Sequence, residues 1–124
     1  MHFTAHANSH YSTTNTAIPF PTVLSDNNSG FTPGTGIVLI KASGEYHFSA
    51  SLMKHPSYNL DAQIMWNDKP MCRMMSNEKN SKYLMLTCSA TFRPQVGDQV
   101  FVRLMGGTIH IGIYSTFTGF LVTL

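Results

Sequence analysis

The feature that most constrains the fold is the alternation of side chains after Gly44. In Gly44-Glu45-Tyr46-His47-Phe48 the even positions carry aromatic rings and the odd positions carry polar groups. Successive side chains of a β-strand point to opposite faces, so this alternation predicts a strand with one buried face. Turn-forming residues precede it at 25–30 and 32–36, where Gly supplies positive φ and Asn or Asp forms Asx turns. The sequence therefore predicts a half-buried strand that follows two tight loops.

The rest of the chain shows the same preference for strands. Apolar residues recur at period two or in short runs bounded by Gly, Pro, Asn and Asp, and no stretch has the period of an amphipathic helix. The 124 residues fit one domain, 1–124, which is large enough to bury a hydrophobic core. Many short strands indicate an all-β sandwich or jelly roll. The predicted strands are Phe3–Ala7, Ile37–Lys41, Glu45–Met53, Leu60–Trp66, Met71–Met75, Tyr83–Thr91, Gln99–Met105 and Ile109–Thr123.

The closing strand becomes apolar on both faces toward its end. Phe117 and Leu121 fall on one face, while Phe120 and Val122 fall on the other. The segment 83–86 has the same character. A strand that is apolar on both faces must be covered on both sides. The sequence therefore predicts that one sheet packs against another subunit.

The composition argues against two classes of partner. Charged residues make up 11% of the chain, against an average of about 25%, and the formal net charge is only +2. Scattered basic residues give no strong field for nucleic acid or anionic lipid.

No segment approaches the roughly 20 apolar residues that a membrane span needs. The N-terminus lacks a basic region followed by an apolar one, which leaves a mature secreted domain and an intracellular protein both open.

The sequence contains no local residue pattern that indicates a catalytic or metal-binding site. No arrangement of Ser, Cys, His and Asp suggests a nucleophile with its base, and no His-x-His occurs. His2, His6 and His10 are spaced by four, which places neighbouring histidines about 13 Å apart in a strand. One subunit could not bring these three together around a metal ion. We therefore predict a protein that is not an enzyme and holds no metal.

Two cysteines allow two interpretations. Cys72 and Cys88 flank a loop centred near Asn80, so a chain that doubles back symmetrically would place them opposite each other. In an oxidising compartment they would pair, whereas two buried thiols would pack equally well among the neighbouring methionines. The sequence leaves both states open.

Three ordered motifs resemble the C1q globular-head family, and together they span nearly the whole chain. The segment Gly97-Asp98-Gln99-Val100-Phe101-Val102 resembles the family's Gly-Asp turn and strand, and Ser115–Leu121 resembles its closing strand. Val38 and Ala50 depart from the pattern, because smaller apolar groups replace aromatic ones. The first motif is carried by Phe20, Asp26, Phe31, Val38, Gly44, Tyr46, Phe48 and Ala50.

The resemblance implies a ten-stranded jelly-roll sandwich of two antiparallel sheets, C1q- and tumour-necrosis-factor-like, that assembles as a homotrimer and is secreted. No collagen-like Gly-x-y repeat is present, so the chain resembles a head without its stalk. Family heads often hold calcium through carboxylates in the loop before the closing strand, but 106–114 contains no Asp or Glu, so we expect no cofactor. The segment Asn67-Asp68-Lys69-Pro70 is assigned to a hairpin turn. Trimer-interface and core candidates are Phe20, Phe48, Phe101, Phe117, Phe120 and Leu121.

The resemblance leaves three functions open. The first is a lectin-like pattern-recognition molecule of innate immunity, which binds glycans or microbial surfaces through three weak sites. Sugar sites stack a ring on an aromatic side chain and hydrogen-bond through Asn, Asp, Arg or His. A trimeric ligand for a cell-surface receptor, as in adiponectin, cerebellin or tumour-necrosis-factor-like cytokines, is the second, and a structural assembly module is the third. Ligand-binding candidates are Trp66, Asn67, Tyr58, Arg103, His110 and Tyr114.

Overall fold

Strands and turns make up the computed structural model, which describes residues 1–77, 82–109 and 115–124. The structure has eleven strands and no helix within these ranges. The described residues therefore contain no helix that could cross a membrane. The strands are β1 (His2–His6), β2 (Thr16–Ala17), β3 (Thr22–Asn27), β4 (Phe31–Thr32), β5 (Ile37–Leu39), β6 (Glu45–Lys54), β7 (Leu60–Trp66), β8 (Lys69–Ser76), β9 (Leu84–Phe92), β10 (Gln99–Gly107) and β11 (Thr116–Thr123).

The strands form two antiparallel sheets. Sheet 1 has the order β3-β1-β11-β6-β9, and sheet 2 has the order β4-β5-β10-β7-β8, with β2 paired to β10. Consecutive strands therefore cross repeatedly from one sheet to the other, as in a jelly roll. The predicted all-β jelly-roll sandwich is confirmed, with one strand more than expected.

Aromatic rings fill the space between the sheets. In β6 every even residue is buried and every odd one is partly exposed, which confirms the predicted alternation of this strand. The ring of Phe117 in β11 meets that of Phe3 edge-on at a centroid distance of 5.1 Å, and Phe3 stacks on Phe31 at 4.5 Å. Phe20 and Phe48 also pack against Phe117 and are fully buried.

A glycine makes room for these rings. Gly119 in β11 lies opposite Phe3 in β1 and Phe48 in β6. A Cβ atom at position 119 would come within 2.6 Å of the Phe3 ring and 2.7 Å of the Phe48 ring. Both rings therefore lean into the space that a side chain at position 119 would occupy.

A disulfide joins the two sheets at one edge of the sandwich. Cys72 lies in β8, the edge strand of sheet 2, and Cys88 lies in β9, the edge strand of sheet 1. Their Cα atoms are 6.0 Å apart and their sulfur atoms are bonded. Of the two states that the sequence leaves open, the structure has the disulfide.

The structure differs from the predicted strands mainly in two places, and the short strands β2 and β4 are also additional to the prediction. Asp26 and Asn27 belong to β3 rather than to a turn, and the turn begins at Asn28, where φ is 53°. The strand lies at the edge of sheet 1 and its side chains are mostly exposed, so it lacks the apolar alternation that identifies a strand. The closing strand begins at Thr116 rather than at Ile109, which forms isolated bridges to Tyr11 and Lys54.

Replacing Gly119 with Ala should destabilise the fold by about 1–3 kcal/mol, because the added methyl group overpacks the aromatic core. The measurement is chemical denaturation of the variant beside Gly34→Ala. At Gly34 no heavy atom lies within 4 Å of the point that a Cβ atom would occupy, so that variant should cost little. Equal unfolding free energies for the two variants would contradict this account of the core.

Candidate functional site

Trp66 ends β7 and stands beside a tight turn. Asn67 and Asp68 connect β7 to β8, and Trp66 pairs with Lys69 across the hairpin. Asn67 adopts a φ of 50°, a left-handed conformation that Asn tolerates better than most residues. This arrangement confirms the predicted hairpin turn, with Asn67 and Asp68 in the turn and with Lys69 and Pro70 already in β8.

The indole ring is held by contacts on three sides. Its Nε1 donates a hydrogen bond to Oδ2 of Asp98 at 2.8 Å. One face stacks on Phe92 with centroids 5.0 Å apart. The ammonium of Lys69 lies 5.8 Å from the ring centroid, within the range of a cation–π contact. The ring is partly exposed and its orientation is determined by Asp98 and Phe92.

Asp98 links the hairpin to the loop before β10. Its Oδ2 also accepts a hydrogen bond from the backbone N–H of Gln95 at 2.8 Å. The backbone N–H of Gln99 donates to Oδ1 of Asn67, also at 2.8 Å. The backbone hydrogen bond from Gln95, followed by the one from the Trp66 indole, lowers the pKa of Asp98 below its ordinary value. The carboxylate form therefore holds this part of the surface together.

An open cleft of about 720 Å³ lies beside the indole. Its lining combines an aromatic ring with an ammonium group, two amides and two carboxylates, which can donate and accept hydrogen bonds in several directions. Such a mixture suits a ligand with hydroxyl groups and one apolar face. The residues that carry these groups are Trp66, Lys69, Asn67, Gln95, Asp68 and Asp98.

The other ligand-binding candidates lie elsewhere. Tyr58 precedes β7, whereas Trp66 ends it, so the two are about 20 Å apart along a seven-residue strand. Arg103 lies within β10, where its Nε is 3.3 Å from the sulfur of Met105. His110 and Tyr114 lie outside the described residues. Of the predicted group, the structure brings together Trp66 and Asn67.

Sequence reasoning missed Asp98 and Gln95 as partners of Trp66. Asp98 is 32 positions from Trp66 in the sequence, and only the antiparallel pairing of β10 with β7 brings the two together. The sequence indicates the Gly97-Asp98 turn, but nothing in its local pattern indicates which side chain donates to the carboxylate. A strand-pairing register would have been needed to find this contact.

The outward face of sheet 1 is a second candidate surface. Thr4, Thr118, Ser49 and Ser89 stand side by side across four strands. Phe120 lies on the same face and is 42% exposed. Small hydroxyl side chains and one exposed aromatic ring make this a flat surface that another protein chain can approach closely.

The predicted core and interface candidates are distributed over two environments. Phe20, Phe48 and Phe117 lie in the core of the subunit, whereas Phe101 and Leu121 are partly exposed. Among the described residues, no three His, Cys, Asp or Glu side chains are grouped so as to hold a metal ion.

The sequence of this chain is similar to a known domain family and to curated proteins that contain it. Residues 2–122 match the sequence model of the C1q domain. Human Complement C1q tumor necrosis factor-related protein 3 is 31% identical over 123 residues, which are 97% of this chain and 50% of that protein. The mouse protein of the same name matches equally well. The chain thus spans about half the length of these curated relatives.

Solved structures share the fold at lower sequence identity. The globular domain of zebrafish Complement 1qA protein has a TM-score of 0.82 and 20% identity, with 98% of this chain and 96% of that chain covered. Murine APRIL has a TM-score of 0.70 and 15% identity, with both chains covered completely. At these identities the likeness is one of fold.

Acidification should release the Trp66 indole. The lowered pKa of Asp98 means that its contribution to stability is present above the ordinary Asp pKa, about 3.9, and is lost as pH falls through the lower folded value. Trp66 is the single tryptophan, so its fluorescence reports directly on this site. We expect an emission change below about pH 4 that Asp98→Asn removes and Asp68→Asn retains. An identical acid transition in wild type and Asp98→Asn would contradict the assignment.

Proposed function

This chain belongs to the C1q domain family, and from that membership we propose that it is a secreted homotrimeric recognition protein that binds glycans on microbial or cellular surfaces. Family members are recognition and signalling proteins rather than enzymes. The observation that carries the glycan assignment is the cleft beside Trp66, where a partly exposed aromatic ring stands among hydrogen-bonding side chains. A disulfide between Cys72 and Cys88 supports an oxidising, extracellular compartment.

The outward face of sheet 1 supports the trimer. Besides Phe120, the paired Met53 and Met85 add apolar surface to this face, and Met85 is 49% exposed. Between them lie short Ser and Thr side chains, whose hydroxyl groups can form hydrogen bonds across an interface. We assign this face to contacts with the two other copies of the chain. Exposed aromatic and Met side chains are typical of such contacts.

Replacing Phe120 with Asp should convert the trimer to a folded monomer, because the variant places an unpaired carboxylate in the proposed interface. Sedimentation velocity measures the mass, and circular dichroism shows that the subunit remains folded. The matched control is Val96→Asp, since Val96 is 63% exposed and lies in the loop between β9 and β10, outside the strands of sheet 1. A stable trimer with Asp at position 120 would contradict the interface assignment.

In the cleft beside Trp66, the indole ring and the polar side chains would contact different parts of a sugar. The indole N–H already donates to Asp98, so the ring contributes apolar surface rather than a hydrogen bond. Hydrogen bonds to sugar hydroxyls fall to Lys69, Asp68 and Gln95, which line the same cleft. The open shape implies weak binding by one subunit. Three sites on one trimer would then bind a repetitive surface by avidity.

A glycan and microbial-polysaccharide array tests this assignment on protein of confirmed trimeric mass. We expect selective binding that persists in the presence of a calcium chelator and weakens by about tenfold or more in Trp66→Ala and Lys69→Ala. Lys41→Ala removes an exposed ammonium outside the cleft and should bind like wild type. Equal binding by folded, trimeric Trp66→Ala would exclude the cleft as the sugar site. Binding abolished by chelator would require a calcium site.

A trimeric ligand for a cell-surface receptor is the second candidate. The observation that favours it is the 31% identity to Complement C1q tumor necrosis factor-related protein 3. The same array separates the candidates, because a receptor ligand should show no selective glycan binding. Such a protein should instead bind receptor-bearing cells, and that binding should be lost with the trimer in Phe120→Asp.

A further inference from the structure

Lys54 is a buried cation without a carboxylate partner among the described residues. It lies on the inward face of β6 and is fully buried. Its Nζ donates hydrogen bonds to the backbone carbonyls of His55 at 3.1 Å and Tyr58 at 2.8 Å. The salt bridge found among the described residues joins Arg73 in β8 to Asp61 in β7 and does not involve Lys54. Buried ammonium groups are normally paired with an anion, so this site has positive charge that the described side chains do not neutralise.

A cleft of about 500 Å³ lies at the turn that Lys54 holds. Ser12 and Thr108 contribute hydroxyl groups, His10 and His55 contribute imidazole rings, and Tyr58 contributes a phenol. Each of these groups can donate a hydrogen bond, and none of them is a carboxylate. The volume is within the range of small-molecule sites.

His55 is oriented as a donor. The backbone N–H of Ser57 donates to Nδ1 of His55 at 3.0 Å, so the neutral ring carries its hydrogen on Nε2. The rings of Tyr58 and Tyr83 pack against the imidazole with centroids 5.3 Å and 5.4 Å away. Both the tautomer and the direction of the ring are therefore set by neighbouring groups.

We propose that this cleft binds an oxyanion, the carboxylate or phosphate group of an acidic ligand. Lys54 supplies the positive charge beneath the turn, and His55 and Tyr58 donate hydrogen bonds to the anion. A metal cation does not fit, because the nearby ammonium would repel it and the described lining offers no carboxylate. The site lies at the start of β7, whereas the Trp66 cleft lies at its end, so the two bind independently.

Titration calorimetry with inorganic phosphate, N-acetylneuraminic acid and neutral galactose tests the proposal. We expect saturable binding of at least one of the two anions and none of galactose, and the anion that binds more tightly identifies the source of the charged group. Binding should weaken by about tenfold or more in Lys54→Met, which keeps most of the side-chain volume and removes the charge. Lys41→Met makes the same charge change at an exposed position and should bind like wild type.

Tyr58→Phe covers the case in which Lys54→Met fails to fold. It removes one hydroxyl donor from a half-exposed ring and should weaken anion binding several-fold with little change in stability. Absence of binding by both anions, or unchanged affinity in folded Lys54→Met or Tyr58→Phe, would overturn the proposal. Inorganic phosphate has no sugar ring, and Lys54→Met and Tyr58→Phe leave the lining of the Trp66 cleft unchanged, so a loss of phosphate binding in these variants is independent of the glycan site.

Discussion

The packing of aromatic rings around Phe117 is the interaction on which the rest of the molecule depends. Its ring meets those of Phe3, Phe20, Phe31 and Phe48, which come from several strands and the loop before β3. Because side chains alternate along a strand, directing Phe117 inward directs Thr118 and Phe120 outward. A register slip of one residue would exchange the two faces, so the core determines which surface another subunit can contact.

The same constraint separates the candidate surfaces from one another. Phe120 lies on the outward face of sheet 1, the Trp66 cleft lies at the end of β7, and the cleft above Lys54 is lined by loop residues, including His55 and Tyr58 between β6 and β7. Loops at the ends of a sandwich can vary without disturbing the pleated interior. Changes at one surface should therefore leave the other two in place, which allows the proposed assembly and the two proposed binding sites to be tested separately.

The alternation of apolar and polar residues along the sequence predicts which side chains are buried better than it predicts which side chains form the candidate sites. In β6 the inward direction of Tyr46 and Phe48 follows from period two, whereas the edge strand β3 lacks an apolar face, and its sequence pattern indicates a turn over part of its length. The predicted strand at 45–53 stops one residue short of Lys54, so it conceals the fact that a lysine occupies an inward position. The sequence places Asp98 in a turn, but its bond to Trp66 depends on a register between distant strands that local pattern does not encode.

Under the proposed function, the open shape of the clefts makes assembly important for affinity. Both are open surfaces rather than enclosed cavities, so a bound group would remain partly in contact with water and one site would bind weakly. Linking sites in one particle can raise overall affinity by about 10²–10⁴ without any new contact. In the proposed trimer that gain depends on the outward face of sheet 1, which contributes no lining residue to either cleft. Under this proposal, the stability of the aromatic core and the strength of binding are therefore coupled through the register of β11.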